Sequence, residues 1–135
     1  MSAREPTRLP IAIVGAGFGG LCIAKKLLDA GYENFVVLER EAALGGTWRD
    51  NTYPGAECDI PSALYSYSFA LNPAWPNKWS HQPVILDYLR DCAERFGIAE
   101  RIRYGVEVLC ARFDEGGAEW RLDVTTPAGP AELRV

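Results

Sequence analysis

The sequence predicts an α/β fold, because it begins with the order strand, tight turn, helix, strand. The apolar run Ile11–Val14 is short and continuous, as a buried strand is, and the glycine-rich stretch Gly15–Gly20 follows it directly. Apolar residues then recur at helical spacing over Leu21–Ala30. A second apolar run, Phe35–Leu38, ends at Glu39. Together these segments predict a βαβ unit with a parallel strand pair and a right-handed crossover.

A long irregular segment is predicted between residues 41 and 83. Five of the nine prolines lie between Pro54 and Pro83, and seven of the fifteen aromatic residues lie between Trp48 and Trp79. This stretch holds too much proline and glycine for a long helix, and it is too apolar for disorder. Long irregular segments in compact domains are usually functional loops, so we expect this aromatic, proline-rich excursion to contact a ligand.

The final part of the chain predicts one helix and a three-stranded antiparallel β-meander. Apolar residues repeat at helical spacing over residues 80–96, and Gly97 ends the helix. In the middle strand of the meander, Trp120, Leu122 and Val124 alternate with polar residues, which predicts that these three share one buried face. The predicted strands are residues 106–113, 119–125 and 131–135.

Length and charge exclude several classes of protein. A chain of 135 residues has room for one domain, here residues 9–135 after an N-terminal tail of residues 1–8. Fourteen basic residues against eighteen acidic ones give a net charge of −4, which argues against nucleic-acid binding by bulk charge. The polar N-terminus has no apolar stretch typical of a secretion signal, and no continuous apolar run is long enough to predict a membrane span.

The cysteines predict neither a metal site nor a disulfide framework. Cys22, Cys58, Cys92 and Cys110 are widely spaced, and His81 is the single histidine of the sequence. A structural zinc site needs about four such ligands at close spacing. We therefore expect no bound metal, four buried free thiols and a reducing, cytoplasmic location.

The glycine-rich turn has the pattern G-x-G-x-x-G, in which the first glycine allows a tight turn and the second a close approach of pyrophosphate. The third glycine lets helix and strand pack closely. Free N–H groups at the start of the helix then meet the phosphates. In its strand-to-helix context this pattern predicts a Rossmann-like dinucleotide-binding unit. The candidate cofactor-binding residues here are Gly15, Gly17, Phe18, Gly19 and Gly20.

Glu39 is the second candidate, at the end of the second strand and 24 residues after Gly15. A carboxylate at this point accepts hydrogen bonds from the ribose hydroxyls of an adenine nucleotide and repels a 2′-phosphate, which favours FAD or NAD over NADP. Arg40 beside it is included in the candidate site and tempers that preference, because its charge would attract a phosphate.

A longer run, from Gly45-Gly46-Thr47-Trp48 to Tyr53-Pro54-Gly55, resembles the flavin-binding monooxygenases of the Baeyer–Villiger type. The resemblance continues through Ala56-Glu57-Cys58-Asp59-Ile60-Pro61-Ser62 and Tyr65-Ser66-Tyr67-Ser68-Phe69, and it covers about residues 9–135. The sequence departs from the common family pattern at Glu57, where arginine is frequent.

The resemblance implies an FAD-binding domain and assigns further residues to it. Gly46, Thr47 and Trp48 would lie along the pyrophosphate and flavin, and the backbone of Val108 would meet the adenine. Asp59 would lie near the flavin ring and the nicotinamide, as the single candidate for a catalytic role, and Tyr65 would also line the flavin. The resembled enzymes use NADPH and O2 to insert an oxygen atom into a ketone or to oxygenate a soft heteroatom.

The family's other hallmarks are missing from this sequence. It contains no second G-x-G-x-x-G for NADPH and no F-x-G-x-x-x-H-x-x-x-W fingerprint. We therefore expect an incomplete domain, the N-terminal segment of a longer monooxygenase, which is inactive by itself. The alternatives are an N- or S-oxygenating flavin monooxygenase, a non-catalytic FAD- or NAD-binding module, and an NAD-dependent dehydrogenase.

Overall fold

The structure, a computed structural model, describes Thr7–Arg8 and residues 10–135. Leu9, at the start of the predicted domain, and residues 1–6 of the predicted tail lie outside the described residues. Thr7–Arg8, within the predicted tail, form a short strand paired in parallel with the last strand, Thr7 opposite Leu133. The unpaired edge of that last strand offers backbone partners that sequence patterning does not reveal.

The described residues form seven strands, three α-helices and two 3₁₀ turns. The strands are β1 (Thr7–Arg8), β2 (Ala12–Val14), β3 (Val36–Glu39), β4 (Ile102–Tyr104), β5 (Glu107–Asp114), β6 (Glu119–Thr126) and β7 (Gly129–Arg134). The helices are α1 (Phe18–Asp29), α2 (Thr47–Asp50) and α3 (Gln82–Arg95), and the 3₁₀ turns are Ser62–Leu64 and Ala99–Arg101. The prediction of a βαβ unit, an irregular excursion, a further helix and a meander is confirmed.

The βαβ unit is part of a three-stranded parallel sheet with the order β2-β3-β4. In its central strand all four residues are buried, as parallel strands covered on both faces require. Val37 lies opposite both Ile13 and Ile102. The sequence did not predict β4, because Ile102-Arg103-Tyr104 offers one apolar residue and its two exposed neighbours give no strand pattern.

The meander belongs to a second sheet with the order β1-β7-β6-β5. Leu122 and Val124 are buried as predicted, but Trp120 is 47 % exposed. The sheet extends beyond the core at this end, so Trp120 packs instead on the cross-strand ring of Phe113, with the ring centroids 5.4 Å apart.

The excursion between β3 and α3 is anchored to the core by hydrogen bonds. The N–H of Cys58 donates to the carbonyl of Ser80, and the N–H of Gln82 donates to the carbonyl of Ala56, so the middle of the excursion is held against its last residues at the start of α3. Ile85 and Leu89 of α3 are fully buried in the core cluster that also covers the parallel sheet. These contacts keep an irregular segment beside the glycine-rich turn.

All four cysteines are free, but only Cys58 and Cys92 are buried, so the expectation of four buried thiols is wrong for Cys22 and Cys110. Cys110 lies next to the bulge in β5, at the edge of its sheet, where one face receives little cover. Over the part of the chain that the structure describes, no helix is both long and apolar enough to cross a membrane. The same residues contain no cluster of three or more His, Cys, Asp or Glu side chains suited to a metal ion.

Candidate functional site

The first glycine-rich turn is packed so tightly that two of its glycines are required for steric reasons. Gly15 has a φ of +91°, in the left-handed region, and its N–H donates to the carbonyl of Leu38 at 2.8 Å. A Cβ on Gly20 would stand 1.9 Å from the carbonyl oxygen of Gly15. The first turn of α1 therefore rests directly on the end of β2, as expected for this glycine pattern.

A second glycine turn, Gly45-Gly46, lies against the first. Both residues have positive φ, +128° and +52°. The N–H of Gly45 donates to the carbonyl of Ala16 at 2.9 Å, and a Cβ on Gly46 would stand 3.2 Å from the Cα of Gly17. The two backbones thus meet without intervening side chains, which leaves a surface suited to the close approach of a phosphate.

Glu39 lies at the end of β3 and faces the first turn. Its Oε2 accepts a hydrogen bond from the N–H of Ala16 at 2.8 Å, and its Oε1 accepts one from the N–H of Glu41 at 3.0 Å. The residue is only 5 % exposed. A buried carboxylate held by two backbone donors is fixed in direction, and its remaining lone pairs are available to hydroxyl donors.

Arg49 approaches the same carboxylate from α2, and the sequence did not single it out. Its Nη1 lies 3.2 Å from Oε1 of Glu39 and also donates to the carbonyl of Ala43, while its Nε donates to Asp50 at 2.8 Å. Burial works against the charged form, but the hydrogen bond to Asp50 and the charges of Glu39 and Asp50 outweigh it and raise the pKa of Arg49. A basic residue one turn after a glycine pair was the available signal.

A cleft of about 330 Å³ lies between the two glycine turns, the end of β3 and the start of β5. Six of the predicted site residues line it, although they come from four separate parts of the chain. These are Gly15, Gly17, Glu39, Arg40, Gly46 and Val108. The remaining lining consists of the apolar Val14, Leu38 and Val106 and the charged Arg49, Asp50 and Glu107. The cleft therefore combines an apolar wall with glycine backbone and charged side chains, among them the fixed carboxylate of Glu39.

Three predicted residues with aromatic side chains form a second group. The indole Nε1 of Trp48 donates to the hydroxyl of Tyr65 at 3.0 Å, and the rings of Tyr65 and Phe18 lie 5.0 Å apart, edge to face. Phe18 and Tyr65 line a hollow of about 380 Å³. The carbonyl of Trp48 accepts a hydrogen bond from the buried side chain of Gln82, so α3 fixes the position of this aromatic group.

The other predicted residues lie outside both hollows. Gly19 is exposed in the first turn of α1, while Gly20 is enclosed behind the turn. Thr47 and Asp59 are exposed, and neither lines the cleft that contains Glu39. The structure therefore gives Asp59 no contact that would identify it as catalytic, and its role stays a prediction.

Comparison with known proteins agrees with this geometry. Residues 13–91 match the family model of the NAD(P)-binding Rossmann-like domain. The chain is 47 % identical over 125 residues to a Baeyer–Villiger monooxygenase of Streptomyces coelicolor, a match that covers 93 % of this chain and 24 % of that protein. It is 38 % identical over 126 residues to an FAD-binding monooxygenase of Aspergillus niger, covering 93 % of this chain and 21 % of the relative.

The fold matches a solved structure equally well. The crystal structure of cyclohexanone monooxygenase from Rhodococcus sp. Phi1 bound to NADP+ superposes with a TM-score of 0.87 at 32 % identity, over 97 % of this chain and 25 % of that one. The resemblance to Baeyer–Villiger-type monooxygenases is thus confirmed. The chain spans about a quarter of the length of the relatives that it matches.

Proposed function

Because the chain belongs to the NAD(P)-binding Rossmann-like domain family, we propose that residues 9–135 form the N-terminal part of an FAD-binding domain. The whole protein is then an NADPH- and O2-dependent flavin monooxygenase. Its substrates are small molecules, either ketones that receive one oxygen atom or compounds with a soft heteroatom that is oxygenated. The similarity to a Baeyer–Villiger monooxygenase over 93 % of the chain supports this assignment.

The contact between the two glycine turns is the observation that carries the proposal. A side chain on Gly46 would fill the space beside Gly17, so the chain keeps a bare backbone surface there. Glu39 lines the same cleft as this surface. A flavin dinucleotide contains a pyrophosphate and an adenosine ribose, and these two groups fit a bare backbone and a fixed hydroxyl acceptor.

The residues of the cleft would hold the pyrophosphate and the adenosine half of FAD. Gly15, Gly17 and Gly46 would approach the pyrophosphate with their backbone, Glu39 would accept from the ribose, and the Val108 backbone would meet the adenine. Trp48 and Tyr65, fixed by their mutual hydrogen bond, would border the flavin. Bound FAD supplies the redox chemistry, while these side chains orient it and exclude water.

Two further assignments concern Asp59 and the cellular location. We propose Asp59 as the residue nearest the flavin and nicotinamide, on the family resemblance alone. We place the protein in the cytoplasm because all four of its cysteines are free thiols, as reducing compartments maintain them.

The test uses the whole protein, with residues 9–135 in their natural context. We expect the purified protein to be yellow, with flavin absorbance that bleaches when NADPH is added without O2 and returns in air. A yellow protein that NADPH does not bleach would favour a non-catalytic flavin module. A colourless protein that binds no added FAD would refute the proposal.

A further inference from the structure

We infer that Arg49, which also lines the cleft, is a positioning residue that fixes Glu39 for recognition of the adenosine ribose. This inference rests on the proposed function, because it takes FAD as the ligand of the cleft. Arg49 lies outside the glycine pattern and outside the residues that the family resemblance assigned. Its contacts with Glu39, Ala43 and Asp50 carry the inference.

The first step concerns the orientation of the Glu39 carboxylate. Two backbone N–H groups hold it, one from Ala16 in the glycine turn and one from Glu41 in the following loop. Both donors are backbone N–H groups, and neither carries a full charge. Because the side chain of Glu39 is only 6 % exposed, an ionised carboxylate here needs a positive partner, which Arg49 supplies at 3.2 Å.

The second step concerns the loop that connects Glu39 to Arg49. Nη1 of Arg49 donates to the carbonyl of Ala43, in the middle of this loop, and Nε donates to Asp50. The guanidinium therefore joins the end of β3, the loop and α2 in a single set of contacts. A planar group with five donors makes such contacts simultaneously, whereas a lysine ammonium does not reproduce them.

The third step concerns the second glycine turn. Gly45 and Gly46 lie within the loop that Arg49 closes, and the N–H of Arg49 itself donates to the carbonyl of Gly46 at 2.9 Å. The pairing with Glu39 thus holds the Glu39 carboxylate, which would accept from the ribose, in a fixed position relative to the Gly45-Gly46 backbone, which would face the phosphates. Three groups around the guanidinium, the carboxylates of Glu39 and Asp50 and the carbonyl of Ala43, are the protein's own acceptors.

The experiment measures FAD affinity of the native polypeptide, freed of flavin, by fluorescence titration. Replacing Arg49 with methionine removes the charge and the donors while keeping an unbranched side chain. We expect Arg49→Met to weaken FAD binding by about 10- to 100-fold, the loss typical of a hydrogen bond to a charged group. Arg49→Lys is expected to weaken FAD binding by about 10-fold, because lysine retains the charge but lacks the planar, forked set of donors of the guanidinium.

Two further measurements separate positioning from direct contact. In a Glu39→Gln background, Arg49→Met should weaken FAD binding by less than about 3-fold, because the residue through which Arg49 acts is already altered. Binding of FMN, which has a phosphate but no adenosine, should change by less than about 3-fold in Arg49→Met. Equal losses in both backgrounds, or an equal loss of FMN, would overturn the inference in favour of direct phosphate contact.

The matched control is Arg90→Met, which removes an arginine from an exposed pair with Asp87 on α3 and should leave FAD affinity unchanged. If Arg49→Met does not fold, as judged by circular dichroism, the same double-variant comparison is made with Arg49→Lys. Unaltered FAD affinity in both Arg49 variants would refute the positioning role alone, with the proposed function intact. Failure of the unaltered protein to bind FAD would refute both.

Discussion

A Cβ on Gly20 would stand 1.9 Å from the carbonyl oxygen of Gly15, closer than any side-chain carbon tolerates. The contact is between backbone atoms of two elements, the first turn of α1 and the end of β2. Neither element can yield without breaking its own hydrogen bonds, such as the one from the Gly15 N–H to the carbonyl of Leu38. Gly20 is therefore a requirement of the fold, independently of any ligand.

This contact predicts that Gly20→Ala lowers the free energy of unfolding by about 3 kcal/mol, because overpacking against backbone forces α1 away from the sheet. Urea denaturation of the native polypeptide measures the change. Gly19→Ala is the matched control, since a Cβ there meets no atom within 4 Å. That variant should gain about 0.5 kcal/mol from helix propensity. Equal effects of the two substitutions would contradict the packing explanation.

The hydrogen bond between Trp48 and Tyr65 gives a second prediction. Tyr65→Phe keeps the ring that packs on Phe18 but removes the hydroxyl that accepts from the indole N–H of Trp48. Trp48 is only 9 % exposed. An unpaired buried donor costs about 1–2 kcal/mol, so the free energy of unfolding should fall by that amount. Tyr53→Phe, in a side chain that is 63 % exposed, should change it by less than about 0.5 kcal/mol.

The buried tyrosines predict a loss of stability at alkaline pH. Burial raises the pKa of both Tyr67 and Tyr88 above the usual value near 10, although the N–H that Tyr67 donates to Tyr88 opposes the rise in Tyr88. The unfolded chain then releases these protons more readily than the folded one. Stability is therefore fully present below about pH 10 and falls as pH rises toward the raised values.

Thermal unfolding of the native polypeptide between pH 8 and pH 11 measures this effect. The hydroxyl of Tyr88 accepts from the N–H of Tyr67 and donates to the carbonyl of Ala70, each at 2.8 Å. Tyr88→Phe should therefore lower stability at neutral pH by about 1–3 kcal/mol. It should also reduce the decline above pH 10, because one titrating group is gone. An unchanged alkaline slope in Tyr88→Phe would be evidence against the assignment.

The packing of α3 against the parallel sheet gives a fourth prediction. Leu89 is fully buried, so Leu89→Ala leaves a cavity and should cost about 3 kcal/mol of unfolding free energy. Leu71, in the excursion, is 70 % exposed, and Leu71→Ala should cost less than about 0.5 kcal/mol. A small effect at Leu89 would mean that the irregular segment, and not α3, covers the sheet.

Local patterns explain how much of the fold and site was predictable. The G-x-G-x-x-G spacing places its glycines at a single turn, and each conformational requirement lies within that turn or its immediate neighbours. The apolar run before Glu39 likewise indicates a strand by itself. Prediction of the βαβ unit, α3 and the meander needed only such short-range signals.

Long-range pairing explains what was missed. Ile102–Tyr104 becomes a strand only because Val37 presents an unsatisfied backbone edge to it, and Thr7–Arg8 pair with β7 for the same reason. Trp120 follows the alternation of a buried face, yet it is exposed because its own sheet extends beyond the core at that end. Strand pairing and burial of this kind depend on partners distant in sequence.

By itself the sequence determined the fold class, the glycine turn and the acidic residue at the end of the second strand, because glycine geometry and apolar periodicity are local properties. Only the tertiary structure decided that a second glycine turn lies on the first and that Arg49 reaches Glu39. Both relations join segments that are separate in the chain. Their existence depends on how α1, β3 and α2 pack, and no spacing of residues encodes that packing.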